Sequence, residues 1–217
     1  MKSRLNFWLV ILLYIAVSTP FLYLVFAYFT HNLTVNPILT AEEYSGDYAI
    51  TLLVLSLACT PLNVITGYSI FVRFRRILGL SAFFYAAIHF LLFIGVDYGF
   101  DFPQILLTIS RKPYIIIGLV VFIILIFLAI TSLRRIQKAL GRRWKTLQRL
   151  VYLASLGAVL HYGLAVKGNL LTLKGNILRP YIYAGVVVIL LLLRIPPIER
   201  AIAARKGDRL SKKKDLV

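Results

Sequence analysis

The chain has 217 residues, of which 60% are hydrophobic and only 15% are charged. A soluble globular domain carries about 45–50% apolar and about 25% charged residues, so this composition excludes an ordinary soluble fold and predicts an integral membrane protein. The single cysteine, Cys59, excludes internal disulfides and an iron–sulfur cluster held by this chain alone.

Six apolar segments follow one another along the chain, and each has about the 20 residues needed to cross a hydrocarbon core about 30 Å thick. Pro61 is expected to kink or end the second helix, and Pro180 suits the first turn of the sixth. The sequence therefore predicts an all-α bundle of six transmembrane helices. It forms a single domain over residues 1–200, followed by a basic cytoplasmic tail over 201–217. The six segments are 7–29, 48–67, 77–96, 114–133, 147–166 and 177–195.

Positive charge is distributed unevenly along the chain and sets the predicted orientation. With a cytoplasmic N-terminus, 20 of the 25 Lys and Arg residues fall in the inner segments, whereas the outer loops have no net charge. This asymmetry predicts that both termini are cytoplasmic. The basic face suits contact with anionic lipids of the bilayer, so the net charge of +17 does not indicate a nucleic-acid partner.

Short loops leave no room for a second folded domain. The longest predicted outer loop covers residues 30–47. No G-x-G-x-x-G motif follows a strand, so the chain has no dinucleotide-binding domain, and any soluble redox partner is expected to be a separate protein. No convincing internal repeat is visible in the sequence.

Two histidines, His89 and His161, lie inside the third and fifth apolar segments. Both segments are predicted to run outward, and both histidines fall roughly 8–10 Å below the outer boundary of the membrane. Two neutral imidazoles at one depth suit the opposite axial positions of a haem iron. They are too few for a closed zinc site, which takes four ligands.

The histidine pair also has two other interpretations. Ionisable residues inside a membrane can form a proton relay, so a proton-coupled transporter using His89 and His161 stays open. The two side chains could also be hydrogen-bonded core residues without a cofactor. The third histidine, His31, lies in an outer loop, where a solvated side chain is expected.

An arginine pair, Arg75 and Arg76, lies at the inner mouth of the third segment, in the stretch RFRRILGL. The excess of positive charge on the inner side of membrane proteins, together with contact with lipid headgroups, is sufficient to explain this arginine pair. A guanidinium also binds a phosphate or a propionate well, because its donors form a planar fork. The pair is therefore a candidate anion site at the inner surface.

Four stretches of the chain resemble the MsrQ/YedZ family. These are the haem-binding membrane subunits of the protein-methionine-sulfoxide reductase system, related to ferric reductase transmembrane domains. The likeness covers about residues 45–195. The stretches are SGDYAITLLVLSLACTPL (45–62), RRILGLSAFFYAAIHF (75–90), RKPYIIIGLVVFIILIFLAITS (111–132) and LGRRWKTLQRLVYLASLGAVLHY (140–162).

The resemblance implies a six-helix bundle in the cell membrane that carries b-type haem and, in some members, FMN. His89 and His161 match the family's ligand positions. Electrons would come from a cytoplasmic flavin reductase or from quinone. They would pass to a molybdopterin-containing methionine-sulfoxide reductase outside the membrane, so the chain is expected to be an electron-transfer component and not a stand-alone catalyst.

One residue departs from the family pattern. Members usually read W-x-x-L-H-R-L at the start of the fifth helix, where the histidine is thought to serve a second, inner haem. Here the motif is WKTLQRL, with Gln148 lying 13 residues before His161, or about 20 Å along a helix. An inner flavin near Arg75, Arg76 and Gln148, as in single-haem ferric reductases, would bridge this distance. A second haem at these residues and a long electron hop are the other interpretations. A structural, partner-binding subunit without redox function is the alternative.

Overall fold

The computed structural model describes residues 2–166, 168–169, 174–175, 178–198, 200 and 202. This part of the chain is helical apart from a short antiparallel pair, β1 (Gly168–Asn169) with β2 (Lys174–Gly175). The predicted basic tail lies outside the described residues except for Ile202. The helices are α1 (Lys2–Phe29), α2 (Pro37–Thr66), α3 (Ile70–Leu91), α4 (Phe102–Arg111), α5 (Tyr114–Thr131), α6 (Arg134–Leu140), α7 (Arg143–Leu147), α8 (Leu150–Ala165) and α9 (Leu178–Leu192).

Four of the described helices are long and apolar enough to cross a membrane: α1, α2, α3 with its continuation to Asp97, and α5. Several apolar helices of this kind make the chain a multi-pass, all-α membrane protein. The helices of the fifth and sixth predicted spans, α8 and α9, have 16 and 15 residues and are shorter than a full span. Six spans with both termini inside therefore stays a prediction.

The second helix begins eleven residues before its predicted start. The predicted outer loop over 30–47 is wrong, because α2 begins at Pro37 and leaves only a short connection after α1. The Asn36 side chain accepts a hydrogen bond of 3.1 Å from the Leu39 amide, and Pro37 occupies the first turn. A capping asparagine followed by proline is a typical helix start.

Proline inside α2 does not end the helix, contrary to one of the expected outcomes. The helix continues past Pro61 to Thr66. Proline has no amide hydrogen, so the carbonyl of Leu57, four residues earlier, lacks its usual helical donor. The guanidinium of Arg194, just beyond α9, donates a hydrogen bond of 2.6 Å to this carbonyl and lies over the Tyr152 ring at 4.9 Å. Arg194 thus replaces the missing helical bond.

The core lies on both sides of α2. One buried cluster joins α2 to α1, α3, α5 and α8, with Leu53, Ala82 and Ala154 at its centre. A second cluster joins the opposite side of α2 to α9 through Leu57 and Val187. Because α2 contributes to both clusters, it is the central helix of the bundle.

The N-terminal helix is held to the bundle mainly through α3. The Tyr85 hydroxyl is buried and donates a hydrogen bond of 2.8 Å to the Val17 carbonyl of α1. Phe21 and Phe84 pack edge to face, with their ring centroids 5.4 Å apart. Toward the start of α1 the two helices border a groove of about 1010 Å³.

Candidate functional site

The two membrane histidines come together inside the bundle. His89 lies near the end of α3 and His161 near the end of α8, and their ring centroids are 6.3 Å apart with the ring planes at 78°. Both side chains are partly buried. Directly after α3, residues Leu92–Asp97 form a π-helical turn, a feature that often occurs at functional sites.

Each imidazole is oriented by a backbone carbonyl of a neighbouring helix. His89 Nδ1 lies 2.9 Å from the Glu42 carbonyl oxygen, and His161 Nδ1 lies 2.8 Å from the Tyr114 carbonyl oxygen. A carbonyl oxygen only accepts, so in both rings Nδ1 carries the hydrogen and donates it. The neutral imidazole then has its lone pair on Nε2, which is the form that binds a metal.

A glycine makes room for each ring. A Cβ atom on Gly118 would lie 2.7 Å from His161 Cε1, and one on Gly46 would lie 3.3 Å from His89 Nδ1. Contacts below 3.0 Å essentially never occur for real Cβ atoms, so His161 can occupy its place only because residue 118 has no side chain. Gly46 allows a close approach of the same kind at His89.

These two constellations follow one local pattern. In each, a carbonyl at one residue accepts from the histidine, a glycine follows four residues later, and the histidine follows 47 residues after the carbonyl. Glu42, Gly46 and His89 thus recur as Tyr114, Gly118 and His161, 72 residues further along the chain. The helix pairs α2–α3 and α5–α8 are matched at this point, although the sequence shows no convincing repeat.

The two helix pairs meet through aromatic side chains. The Phe122 ring of α5 stacks on Phe90 at 4.7 Å and on Phe83 at 6.1 Å, both in α3. Phe90 directly follows His89 in the chain. This aromatic contact therefore lies beside the histidine pair and joins the α3 side of the site to the α5 side.

The donor set fits an iron porphyrin. A metal–imidazole bond is about 2 Å long and each ring adds about 1 Å from nitrogen to centroid, so two imidazoles on one metal would have centroids about 6 Å apart. The observed 6.3 Å agrees. Among the described residues, no group of three or more His, Cys, Asp or Glu side chains could hold a metal by itself. Two axial nitrogens suffice for an iron whose other ligands come from a macrocycle.

The structure places the three inner candidate residues on two sides of the bundle. Arg75 lies against α2, with Nη1 3.4 Å from Thr60 Oγ1. Arg76 and Gln148 both reach the end of α5. Arg76 Nη2 donates to the Ser132 carbonyl at 2.8 Å, and Gln148 Nε2 donates to Thr131 Oγ1 at 3.0 Å. The structure thus groups Arg76 with Gln148 and places Arg75 apart from them.

Sequence reasoning missed the residues that complete the end of α5. The last carbonyls of a helix lack intrahelical donors. Here the Trp144 indole donates to the Thr131 carbonyl at 2.9 Å, beside the Arg76 and Gln148 bonds. Trp144 was not among the candidate site residues. Trp144 lies four residues before Gln148, and this proximity was the signal from which its contact with the end of α5 could have been predicted.

Comparison with known proteins identifies the family of the chain. The family profile described as "Ferric reductase like transmembrane component" matches residues 45–159, which include His89 and end two residues before His161. A protein of Brucella anthropi is 37% identical over 87% of this chain and 82% of its own length. One of Herminiimonas arsenicoxydans is 38% identical over 85% of this chain and 83% of its own length. Both carry the name "Protein-methionine-sulfoxide reductase heme-binding subunit MsrQ". The chain therefore belongs to the ferric reductase-like transmembrane components and, within them, to the MsrQ family.

Proposed function

We propose that the chain is a b-type haem subunit that carries electrons across the membrane, with His89 and His161 as the axial ligands of the iron. The observation that carries this proposal is the pair of Nδ1–carbonyl bonds, which leaves Nε2 of both rings as metal-binding nitrogens. The relatives' name, which describes a heme-binding subunit, supports it. When bound, the haem would supply reversible one-electron chemistry.

The protein's own residues contribute orientation and shielding. The Glu42 and Tyr114 carbonyls accept hydrogen bonds from the Nδ1–H groups and thereby fix the tautomers. Gly46 and Gly118 leave the space that the two rings occupy. The surrounding apolar side chains lower the local polarity, which is one of the factors that tune a redox potential. Neither carbonyl can take up a proton for onward transfer, which argues against a proton relay through the Nδ1 atoms.

We further propose the direction and the partners of electron flow. The charge asymmetry supports an inner, cytoplasmic entry from a flavin reductase or quinone. The histidine pair lies toward the opposite ends of α3 and α8, which supports delivery to an acceptor outside the membrane. The relatives' name supports a methionine-sulfoxide reductase as that acceptor, which we take to be the molybdopterin-containing subunit. Reoxidation of the reduced protein by this subunit only when methionine sulfoxide is present tests the assignment.

An inner flavin would shorten the electron's path. Gln148 lies about 20 Å inside His161 along the helix direction, and it cannot offer an imidazole to a second haem. We propose an FMN in the inner half of the bundle, close to Gln148 and to the Arg75–Arg76 pair. Arg76 and Gln148 meet at the end of α5, whereas Arg75 lies against α2. The test is flavin content per chain in Arg75→Gln/Arg76→Gln, compared with Arg142→Gln/Arg143→Gln. Equal flavin content in both would contradict the proposal.

The haem proposal is tested by spectroscopy on the purified protein. We expect a haem Soret band and a reduced-minus-oxidised difference spectrum in the wild type and in His31→Ala. Both signals should be lost in His89→Ala/His161→Ala, because neither axial nitrogen remains. Full haem retention in the double variant would overturn the assignment. Haem-free protein that still docks its reductase partner would favour the purely structural role.

A further inference from the structure

The groove between α1 and α3 combines a long apolar wall with three arginines at one end. Its volume is about 1010 Å³, at the upper end of the range of about 300–1,000 Å³ for small-molecule sites. Arg73 and Arg76 line it from α3, and Arg134 lines it from the start of α6. The rest of the wall is mainly apolar, and it includes Leu80 and Phe84.

The arginines of this groove have spare capacity to bind an anion. Within the described part of the chain, none of the three forms an ion pair with a carboxylate. Arg76 uses one N–H on the Ser132 carbonyl, and a guanidinium has five. Three guanidinium groups at one end of a groove favour a phosphate, which accepts several charge-assisted hydrogen bonds at once.

The length of the groove matches one leaflet of a membrane. On α3 its lining runs from Arg73 to Tyr85, which is about 18 Å of helix. Half of the hydrocarbon core is about 15 Å. A molecule with its anionic headgroup at the arginines would therefore reach the bilayer midplane with its apolar part. Leu80 and Phe84 are exposed by 37% and 47%, so the groove is open to the surrounding lipid.

We propose that this groove is a binding site for an anionic phospholipid, with an acyl chain between α1 and α3 and the phosphate on Arg73, Arg76 and Arg134. A quinone has a neutral head and would leave the three charges without a partner. The FMN proposed near Gln148 would lie outside this groove, because neither Gln148 nor its hydrogen-bond partner Thr131 lines it. A phospholipid matches both parts of the groove, because its phosphate can bind the arginines and its acyl chain can pack on the apolar wall.

Native mass spectrometry of the detergent-purified full chain tests the charge requirement. The protein is titrated with phosphatidylglycerol or with phosphatidylcholine of the same acyl chains. One phosphatidylglycerol should bind tightly. The variant Arg73→Gln/Arg76→Gln/Arg134→Gln should bind it about a hundredfold more weakly, since each basic residue near a membrane surface contributes about a fivefold factor. The control Arg135→Gln/Arg142→Gln/Arg143→Gln loses the same charge in the same region and should bind normally.

A second pair of variants tests the groove without changing charge. Leu80→Trp fills the groove, whereas Leu119→Trp adds the same bulk on α5 at a position with the same exposure of 37%. Only Leu80→Trp should weaken phosphatidylglycerol binding, and this result stands even where the arginine variant fails to fold. The proposal is overturned by equal affinity for both lipids, by equal effects within either pair of variants, or by displacement of phosphatidylglycerol by FMN or a short-chain quinone.

Discussion

Arg194 and Leu57 are 137 residues apart in sequence, yet the Arg194 guanidinium donates a 2.6 Å hydrogen bond to the Leu57 carbonyl. We predict that Arg194→Met lowers the free energy of unfolding by about 1–3 kcal/mol, because it leaves a buried carbonyl without a donor. Thermal unfolding of the detergent-purified protein measures the loss. Arg149→Met, at an exposed position, is the matched control and should have little effect.

The hydrogen bond between Arg194 and Leu57 can also be tested by changing Pro61, the residue that makes it necessary. Pro61→Ala restores an amide hydrogen four residues after Leu57, so the helix can satisfy this carbonyl without help. In the Pro61→Ala background, Arg194→Met should therefore cost less than in the wild type, which a double-mutant cycle measures. An equal cost in both backgrounds would show that Arg194 stabilises the protein through other contacts, such as the Tyr152 ring.

Glycine substitutions should give a graded loss of haem binding. Gly118→Ala places a Cβ atom 2.7 Å from the His161 ring and should abolish or greatly reduce haem content, because the ring has to move. Gly46→Ala, with its nearest His89 atom at 3.3 Å, should have a milder effect. Gly185→Ala in α9 meets nothing within 4 Å and serves as the matched control. Haem per chain, from the absorption of the reduced protein, is the measurement.

A packing variant separates this effect from general destabilisation. A Cβ atom on Gly157 would lie 2.6 Å from Val121 Cγ2, so Gly157→Ala disturbs the packing of α8 on α5 without this contact to a histidine. We expect it to lower the unfolding temperature more than it lowers haem content. Equal haem loss in Gly157→Ala and Gly118→Ala would refute a specific role for the space at Gly118.

Gln148 is expected to stabilise the end of α5. Gln148→Leu removes the donor to Thr131 Oγ1 and should lower the free energy of unfolding by about 1 kcal/mol. Haem content should stay unchanged, because the histidine pair lies about 20 Å away along the helix direction. Thermal unfolding and the absorption spectrum check the two statements. Gln137→Leu in α6 is the control, and a loss of stability as large as that of Gln148→Leu would refute the prediction.

Six spans with both termini inside can be checked by cysteine labelling in intact cells. The native Cys59 is only 4% exposed and should stay unlabelled. Single cysteines at Asn32 and Ser110 should react with a membrane-impermeant maleimide added from outside. Cysteines at Ser69 and Gln137 should react only after permeabilisation. Labelling of the cysteine introduced at Ser69 by reagent added from outside would exclude the predicted orientation.

The sequence predicted the all-α membrane fold, and four of the described helices are long and apolar enough to cross a membrane. The structure also brings His89 and His161 together, while their role as ligands stays a prediction. The fourth predicted segment, 114–133, begins where α5 begins, at Tyr114. The start of α2 was missed, although Asn36 and Pro37 form a recognisable helix start. A hydropathy argument follows the apolar run and therefore overlooks the more polar opening part of α2, which contains Glu42 and Glu43.

The orientation of each ring could not be predicted. The partners of His89 and His161 are carbonyl oxygens, which every residue has, so no residue type in the sequence marks them. The helices are also apolar on nearly all sides, so a hydropathy pattern does not show which side faces a neighbour. The role of Arg194 was hidden because its partner carbonyl belongs to a helix far away in the sequence.

The duplicated pattern of carbonyl, glycine and histidine has a mechanical consequence. Each imidazole is anchored within its own helix pair, so a shift of one pair relative to the other alters the gap between the rings while both anchoring bonds survive. The two pairs meet in the buried cluster shared by α2, α3, α5 and α8 and at Phe122, which stacks on Phe83 and Phe90. A change in side-chain size at Phe122 is therefore expected to alter the spacing of the two imidazole rings.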